Sequence, residues 1–358
     1  MIEKFLIGTY SFDLKPSHGI YELELNDDTK RLQNLRFVAA AGNPTYLALS
    51  KKNRLYAIDK VWDHNWGEED AKLRGGIAVL DNSSRPAMAL SYNLNPGTSP
   101  AYVDIDEKDQ MAFTANYHTG VVIVYKIQAD GSLKETDRVQ DKGHTGPRPE
   151  QQDGAHPHFA DLTPDRRLVV VDLGQDRLYL YDLSDAGKLT PVSHFQFKPG
   201  FGPRHIVFDP KKGVAYVSAE LSSNVAVMNY DQQAGKFTLK QVISTIPDTW
   251  TKHNGAAAIR MSNDRKYIYI SNRGYNTIAV FKSDPSGKLT LIQQAPVAGD
   301  FPRDFNFNHD QSMMIVLNQN TNNATLYTRD SMTGKLKMVQ KDFRVPEGVC
   351  VCPEKIIK

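Results

Sequence analysis

In the stretch GAHPHFADLTPD, residues 154–165, His156 and His158 flank Pro157 at the start of an alternating apolar run. Further along stand Arg204 in GPRHIVFDP, Glu220 in AYVSAEL and Arg273 in YIYISNRG. Brought together, these residue types suffice to open an activated ester. A neutral imidazole takes a proton from water near pH 7. One guanidinium stabilises the oxyanion of a tetrahedral intermediate, and another grips a phosphate or carboxylate through paired hydrogen bonds. A carboxylate orients the histidine or positions the water. The chain has no G-x-S-x-G elbow, which argues against a serine nucleophile. The four residues are far apart in sequence, so the elements that carry them must bring them to one place.

Those elements repeat. AHPHFADLT at 155–163 aligns with FGPRHIVFD (201–209), GNPTYLALS (42–50), TSPAYVDID (98–106), DFPRDFNFN (300–308), GAAAIRMS (255–262) and VPEGVCVC (345–352). The anchors Pro44, Pro100, Pro157, Pro203, Ala256, Pro302 and Pro346 recur every 44 to 57 residues. A proline is tolerated at a strand start, where its missing N–H costs least. Each full unit continues with a second run such as LVVVDL or YIYISNR, a third such as TIAVFKS, and a fourth such as GKLTLIQQA. Four short strands per unit of this length predict a β-propeller blade. The N-terminus opens on a second-strand run, KFLIGTY, and the C-terminus closes on an anchor strand, PEGVCVC. Six full units and this split one predict an all-β, seven-bladed β-propeller of four-stranded blades. The C-terminal strand joins the N-terminal blade to close the ring, and residues 1–358 are expected to form one domain.

In such a ring the start of each first strand and the end of each second strand meet at one channel mouth. The first set is Thr45, Ala101, His158, Arg204, Ala257, Arg303 and Glu347; the second includes Lys60, Tyr117, Glu220, Arg273 and Gln319. So many charges around one opening must pair or bind something. His158, Glu220, Arg204 and Arg273 are the catalytic candidates. Arg303, Lys60, His156 at the rim, and Glu347 are the candidates for holding substrate. The long connections 61–76, 140–155 and 246–255 belong to the same face and carry Trp62, Trp66 and Trp250, all the tryptophans of the chain. Long loops gathered on one face form a binding rim. Asn116, Asn272 and Asn318, with Asp59 and Asp172 beside them in the alignment, recur at the second-strand end and read as a repeated turn hydrogen bond. An H-x-H metal pair at His156 and His158 lacks a third ligand, so neither a metal nor another cofactor is expected.

Bulk properties narrow the class. The chain has 358 residues, 40% hydrophobic, and a formal net charge of +2 with acids and bases mixed. No basic run favours nucleic acid, and no stretch reaches the roughly 20 apolar residues of a membrane span. MIEKFLIGTYSF is not the apolar core of a signal peptide. The only cysteines, Cys350 and Cys352, stand two apart in a strand, a poor geometry for a disulfide, so a reducing cytoplasm is expected.

With FLIGTY, GAHPHFADLTPD, GPRHIVFDP, AYVSAEL, YIYISNRG and DFPRDFNF, the chain resembles the seven-bladed propeller lactonases over essentially its whole length. That family includes the propeller-type 6-phosphogluconolactonase and the fungal carboxy-cis,cis-muconate cyclase. The resemblance implies site residues at His158, Arg204, Glu220 and Arg273, the four chosen by the ring. It implies hydrolysis of a sugar lactone, foremost 6-phosphogluconolactone of the pentose phosphate pathway. A muconate-type lyase would use the same residues, and the sequence leaves both chemistries open. A metal-dependent lactonase and a non-catalytic propeller that binds a metabolite or protein are the alternatives. The last is disfavoured because the tryptophan–aspartate signature of scaffold propellers is missing.

Overall fold

The computed structural model describes residues 1–11, 17–62, 73–140 and 142–354. Among them lie seven four-stranded antiparallel sheets. The second strands are continuous apolar runs, such as LVVVD and MMIVLN, buried along their whole length, as expected of strands covered on both faces. The outermost strands, such as LKETDRVQ, alternate in exposure and carry charge, which blunts an open edge.

The first sheet is split between the chain ends. β1 (Ile2–Thr9), β2 (Gly19–Asn26) and β3 (Arg31–Ala40) are completed by β28 (Gly348–Pro353), which pairs antiparallel with β1 from Phe5↔Pro353 to Thr9↔Gly348. Apolar clusters join neighbouring blades all round. Leu6, Ile20 and Cys350 meet Leu47 and Leu55 of the second blade, while Phe5, Ile7 and Leu23 meet Ile315 and Leu326 of the seventh. The ring is thereby closed by packing as well as by strand pairing. Val351 adds a polar tie, its N–H donating to Asp304 Oδ2 at 2.9 Å and its carbonyl accepting from Asn306 at 3.0 Å. Cys350 and Cys352 are free thiols at this seam, and burial pushes both thiols up in pKa.

The first strands of blades four, five and seven are β12 (Pro157–Leu162), β16 (Pro203–Asp209) and β24 (Pro302–Phe307). Each begins on its anchor proline and each is bulged at once. Pro157 pairs with Asp172 but Phe159 with Val171; Pro203 with Ala219 but His205 with Ser218; Pro302 with Asn318 but Asp304 with Leu317. The inserted residues are His158, Arg204 and Arg303. A bulge re-aims a side chain that regular pleating would turn elsewhere. In β20 (Gly255–Met261) of blade six the same irregularity falls between Ala256 and Ile259. The corresponding strands of blades two and three, β4 (Leu47–Leu49) and β8 (Tyr102–Asp106), start after their anchors, and their register is regular.

The candidate active site

The bulges gather the charged ring. Arg273 ends the second strand of blade six, where it pairs with Gly255. Its Nε donates to the Gly255 carbonyl at 3.2 Å, and its Nη2 lies 2.8 Å from Glu220 Oε2. A Cβ on Gly255 would stand 2.9 Å from Arg273 Nη2 and 3.5 Å from Glu220 Cγ, so the glycine makes room for this pair. Arg204 Nε lies 2.9 Å from the same Glu220 oxygen, but its N–H is not aimed along the contact, which is ionic rather than a hydrogen bond. The Glu220 backbone N–H is pinned to the Gly202 carbonyl at 2.7 Å. The result is an Arg204–Glu220–Arg273 triad with both arginines almost fully buried and the Glu220 side chain 22% exposed.

Burial alone would raise the Glu220 pKa, but Arg273 and Arg204 outweigh it and hold the carboxyl below its usual range. Burial, and then the charge of Arg273, pull Arg204 down to about 9 in spite of Glu220. Arg303 stands over the ring of Tyr10, with 5.5 Å to the centroid, and its charge bears on Arg204, Glu220 and His158 alike. Arg204 and Arg273 thus pair with the one carboxylate of Glu220, and the charge of Arg303 acts on the same group.

His158 is 5% exposed, and its Nδ1 has no hydrogen-bond partner among the described residues. Burial, Arg204 and Arg303 push its pKa well below the ordinary histidine value, so the ring is neutral. Its neighbours are His205 at 5.2 Å and Tyr117 at 5.9 Å between ring centroids. No hydrogen bond joins Glu220 to His158 among the described residues. The contacts of Glu220 run to the two arginines and not to the histidine. Gln319, at the end of the second strand of blade seven, also presents a buried unpartnered Oε1.

His156 stands apart from this group. Its Nδ1 faces the Tyr117 carbonyl at 2.6 Å, its Nε2 faces Asp153 at 2.8 Å, and its ring stacks on Tyr117 at 4.3 Å. Its backbone N–H donates to Asp172 at 3.0 Å. Both ring nitrogens of His156 are thus engaged within the protein, in the wall of the mouth. Lys60 lies on the rim, where its charge and those of His156 and Arg303 act on His118. Glu347 is half-buried; its backbone N–H donates to Asn322 Oδ1 at 2.7 Å, and its carbonyl accepts from Tyr10.

Asn116 bonds the turn that follows its strand, while Asn272 and Asn318 tie to the segments that follow the preceding blades' fourth strands. Asn116 bonds the backbone of Thr98, His118 and Thr119; Asn272 bonds Thr245; Asn318 bonds the Val297 carbonyl. Trp250 packs on Tyr275 at 5.0 Å, a contact within the rim. Trp66 lies outside the described residues, as does the side chain of Trp62.

Sequence reasoning overlooked His205. It follows Arg204 directly, and strict alternation would turn it away from the channel. The bulge instead lets it lie beneath the mouth against Tyr46, Tyr102 and Phe159, at 6.0, 5.6 and 5.4 Å.

A second charged concavity of about 450 Å³ is lined by Asp109, Asp165, Arg166, Arg167 and Asp182 among others. Its arginines are consumed by ion pairs, Arg166 with Asp106 and Asp109, and Arg167 with Asp165 and Asp182. It lacks the charge excess of the channel mouth. Among the described residues no helix is long and apolar enough to cross a membrane.

Comparison with known proteins agrees with this architecture. Residues 4–353 match the family described as "Lactonase, 7-bladed beta-propeller". The chain is 40% identical to a Bacillus subtilis protein named 6-phosphogluconolactonase, over 96% of each chain. A crystal structure of a Lactobacillus plantarum protein is 50% identical, with a TM-score of 0.93 over 99% of this chain and all of the other. The periplasmic gluconolactonase of Pseudomonas aeruginosa is 25% identical, with a TM-score of 0.88 over 99% of this chain and all of the other.

Proposed function

The chain belongs to the seven-bladed β-propeller lactonases, and from that premise we propose that it opens an anionic sugar δ-lactone, foremost 6-phosphogluconolactone, with water as the nucleophile. The observation that carries this reading is the buried Arg204–Glu220–Arg273 triad beside a buried histidine with an unpartnered nitrogen. His158 takes a proton from water as the oxygen attacks the lactone carbonyl. Arg273, paired with Glu220, and Arg204, drawn to the same carboxylate, meet the developing oxyanion. Collapse of the intermediate expels the ring oxygen, which takes the proton back from His158. The products are the free hydroxyl and the carboxylic acid, which ionises. Arg303 and Lys60 hold the phosphate at the rim.

The site's electrostatics favour an anionic substrate in particular. Arginines that keep His158 neutral also oppose the imidazolium it must become. A bound phosphate offsets their charge and makes the proton transfer easier. The name of the B. subtilis relative points to the same substrate, and two free thiols suit a reducing cytoplasm.

Comparing 6-phosphogluconolactone with unphosphorylated gluconolactone tests the reading. Arg303→Ala is expected to raise KM for the phosphorylated lactone by about tenfold, the worth of one charge-assisted contact, and to leave KM for the other nearly unchanged. Equal effects on both would contradict phosphate binding by Arg303.

A further inference from the structure

His205 is a buried histidine that the reaction as written does not use. It is 5% exposed, and its ring lies across the channel beneath His158. Tyr46 and Tyr102 meet it edge-on and Phe159 at a tilt, and these come from the first-strand segments of three other blades. The backbone is held too, the His205 N–H donating to Ser218 Oγ at 3.3 Å. Among the described residues the ring has one polar contact, at its Nε2. Arg204 Nη1 stands 3.3 Å from that nitrogen. A guanidinium only donates, so Nε2 must accept, and the ring is the neutral tautomer with its proton on Nδ1.

Arg204 has no other hydrogen bond among the described residues, since its contact with Glu220 is ionic and poorly aligned. Glu220 attracts the guanidinium without fixing its rotation; His205 supplies the missing constraint. A carboxylate in the same place would fix Arg204 equally well but cancel its charge. A caged neutral imidazole fixes it and leaves the charge available.

We propose that His205 is a positioning residue: an uncharged acceptor in the channel floor that sets the orientation of the Arg204 guanidinium toward the oxyanion. The proposal rests on the lactone-opening reading for its kinetic consequence, but not for its structural one.

The test uses full-length His205→Phe, which keeps an aromatic ring in the cage and removes the acceptor, and His205→Gln, which keeps an acceptor. With 6-phosphogluconolactone, His205→Phe is expected to lose about 100-fold in kcat, the scale of a small misplacement of a catalytic group, with KM changed little. His205→Gln is expected to recover a substantial part of that loss. A crystal structure of His205→Phe should show the Arg204 guanidinium rotated from its place. Wild-type kcat in the Phe variant, no recovery with Gln, or an unmoved Arg204 would each overturn the proposal. If the Phe variant does not fold, the Gln variant decides: near wild-type kcat with Arg204 in place supports the proposal, and a displaced Arg204 overturns it. Wild type no faster than the spontaneous reaction would sink the lactonase reading instead, and the Arg204 orientation would still judge His205.

Discussion

A general base must be neutral at the working pH and yet accept a proton, and His158 is pushed toward the first at the expense of the second. Burial, Arg204 and Arg303 all lower its pKa. The base is competent above that pKa, so the acid limb of kcat/KM, which reports the free enzyme, is predicted to lie below pH 6.5. A phosphate bound as proposed would raise the pKa, so the acid limb of kcat should sit at higher pH than that of kcat/KM. pH–rate profiles check this, and coincident limbs above pH 6.5 would contradict it. His158 and His205 both have depressed pKa values. Below pH 6.5 the unfolded chain binds protons that the folded one refuses, so each contributes stability that is lost as pH falls, at up to about 1.4 kcal/mol per pH unit. The residue types at the mouth were legible in the sequence because the repeat gave every blade an equivalent position. Their couplings were not. Nothing in GAHPHFADL separates an engaged His156 from an unpartnered His158 Nδ1, because the partners of His156 are Tyr117 from the neighbouring blade and Asp153 just before the stretch.

At the scale of elements, the anchor prolines and the apolar second-strand runs were enough to find the blades, since both are local. The bulges at His158, Arg204 and Arg303 were not legible, because a bulge is a property of pairing between two strands. Regular alternation alone would therefore turn His205 to the wrong face. Gly255 offers a direct test of how the elements aim the site. The methyl of Gly255→Ala would press on the end of the flexible Arg273 side chain rather than on backbone. Stability is thus expected to fall by less than about 1 kcal/mol, while kcat/KM falls at least tenfold as Arg273 shifts from Glu220. Thermal unfolding and steady-state kinetics on one preparation measure both. Unchanged kinetics would show that the Arg273–Glu220 geometry is not needed.

For the whole molecule, the split blade is the point on which the ring depends. β28 supplies the innermost strand of the first blade, the partner of β1, and Val351 ties it to Asp304 and Asn306. Removing residues 348–358 would expose β1 as an unpaired edge and open the apolar seam around Phe5, Leu6 and Ile7. The truncated chain is predicted to be largely insoluble or to unfold at much lower temperature. The intact chain, read as one domain, should unfold in a single cooperative transition by calorimetry; two separated transitions would contradict that reading. The split was visible in the sequence because the two ends, taken together, supply what one blade lacks.

The most direct test of the central claim is the opening of freshly generated 6-phosphogluconolactone, followed by pH-stat against the spontaneous rate, for wild type, His158→Ala and Arg204→Ala. Wild type should far outpace the spontaneous reaction. Each variant should lose at least about 100-fold in kcat/KM, the usual cost of removing a general base or an oxyanion donor. A wild type no faster than the spontaneous reaction, or variants that keep its rate, would contradict the assignment of this chemistry to the channel mouth.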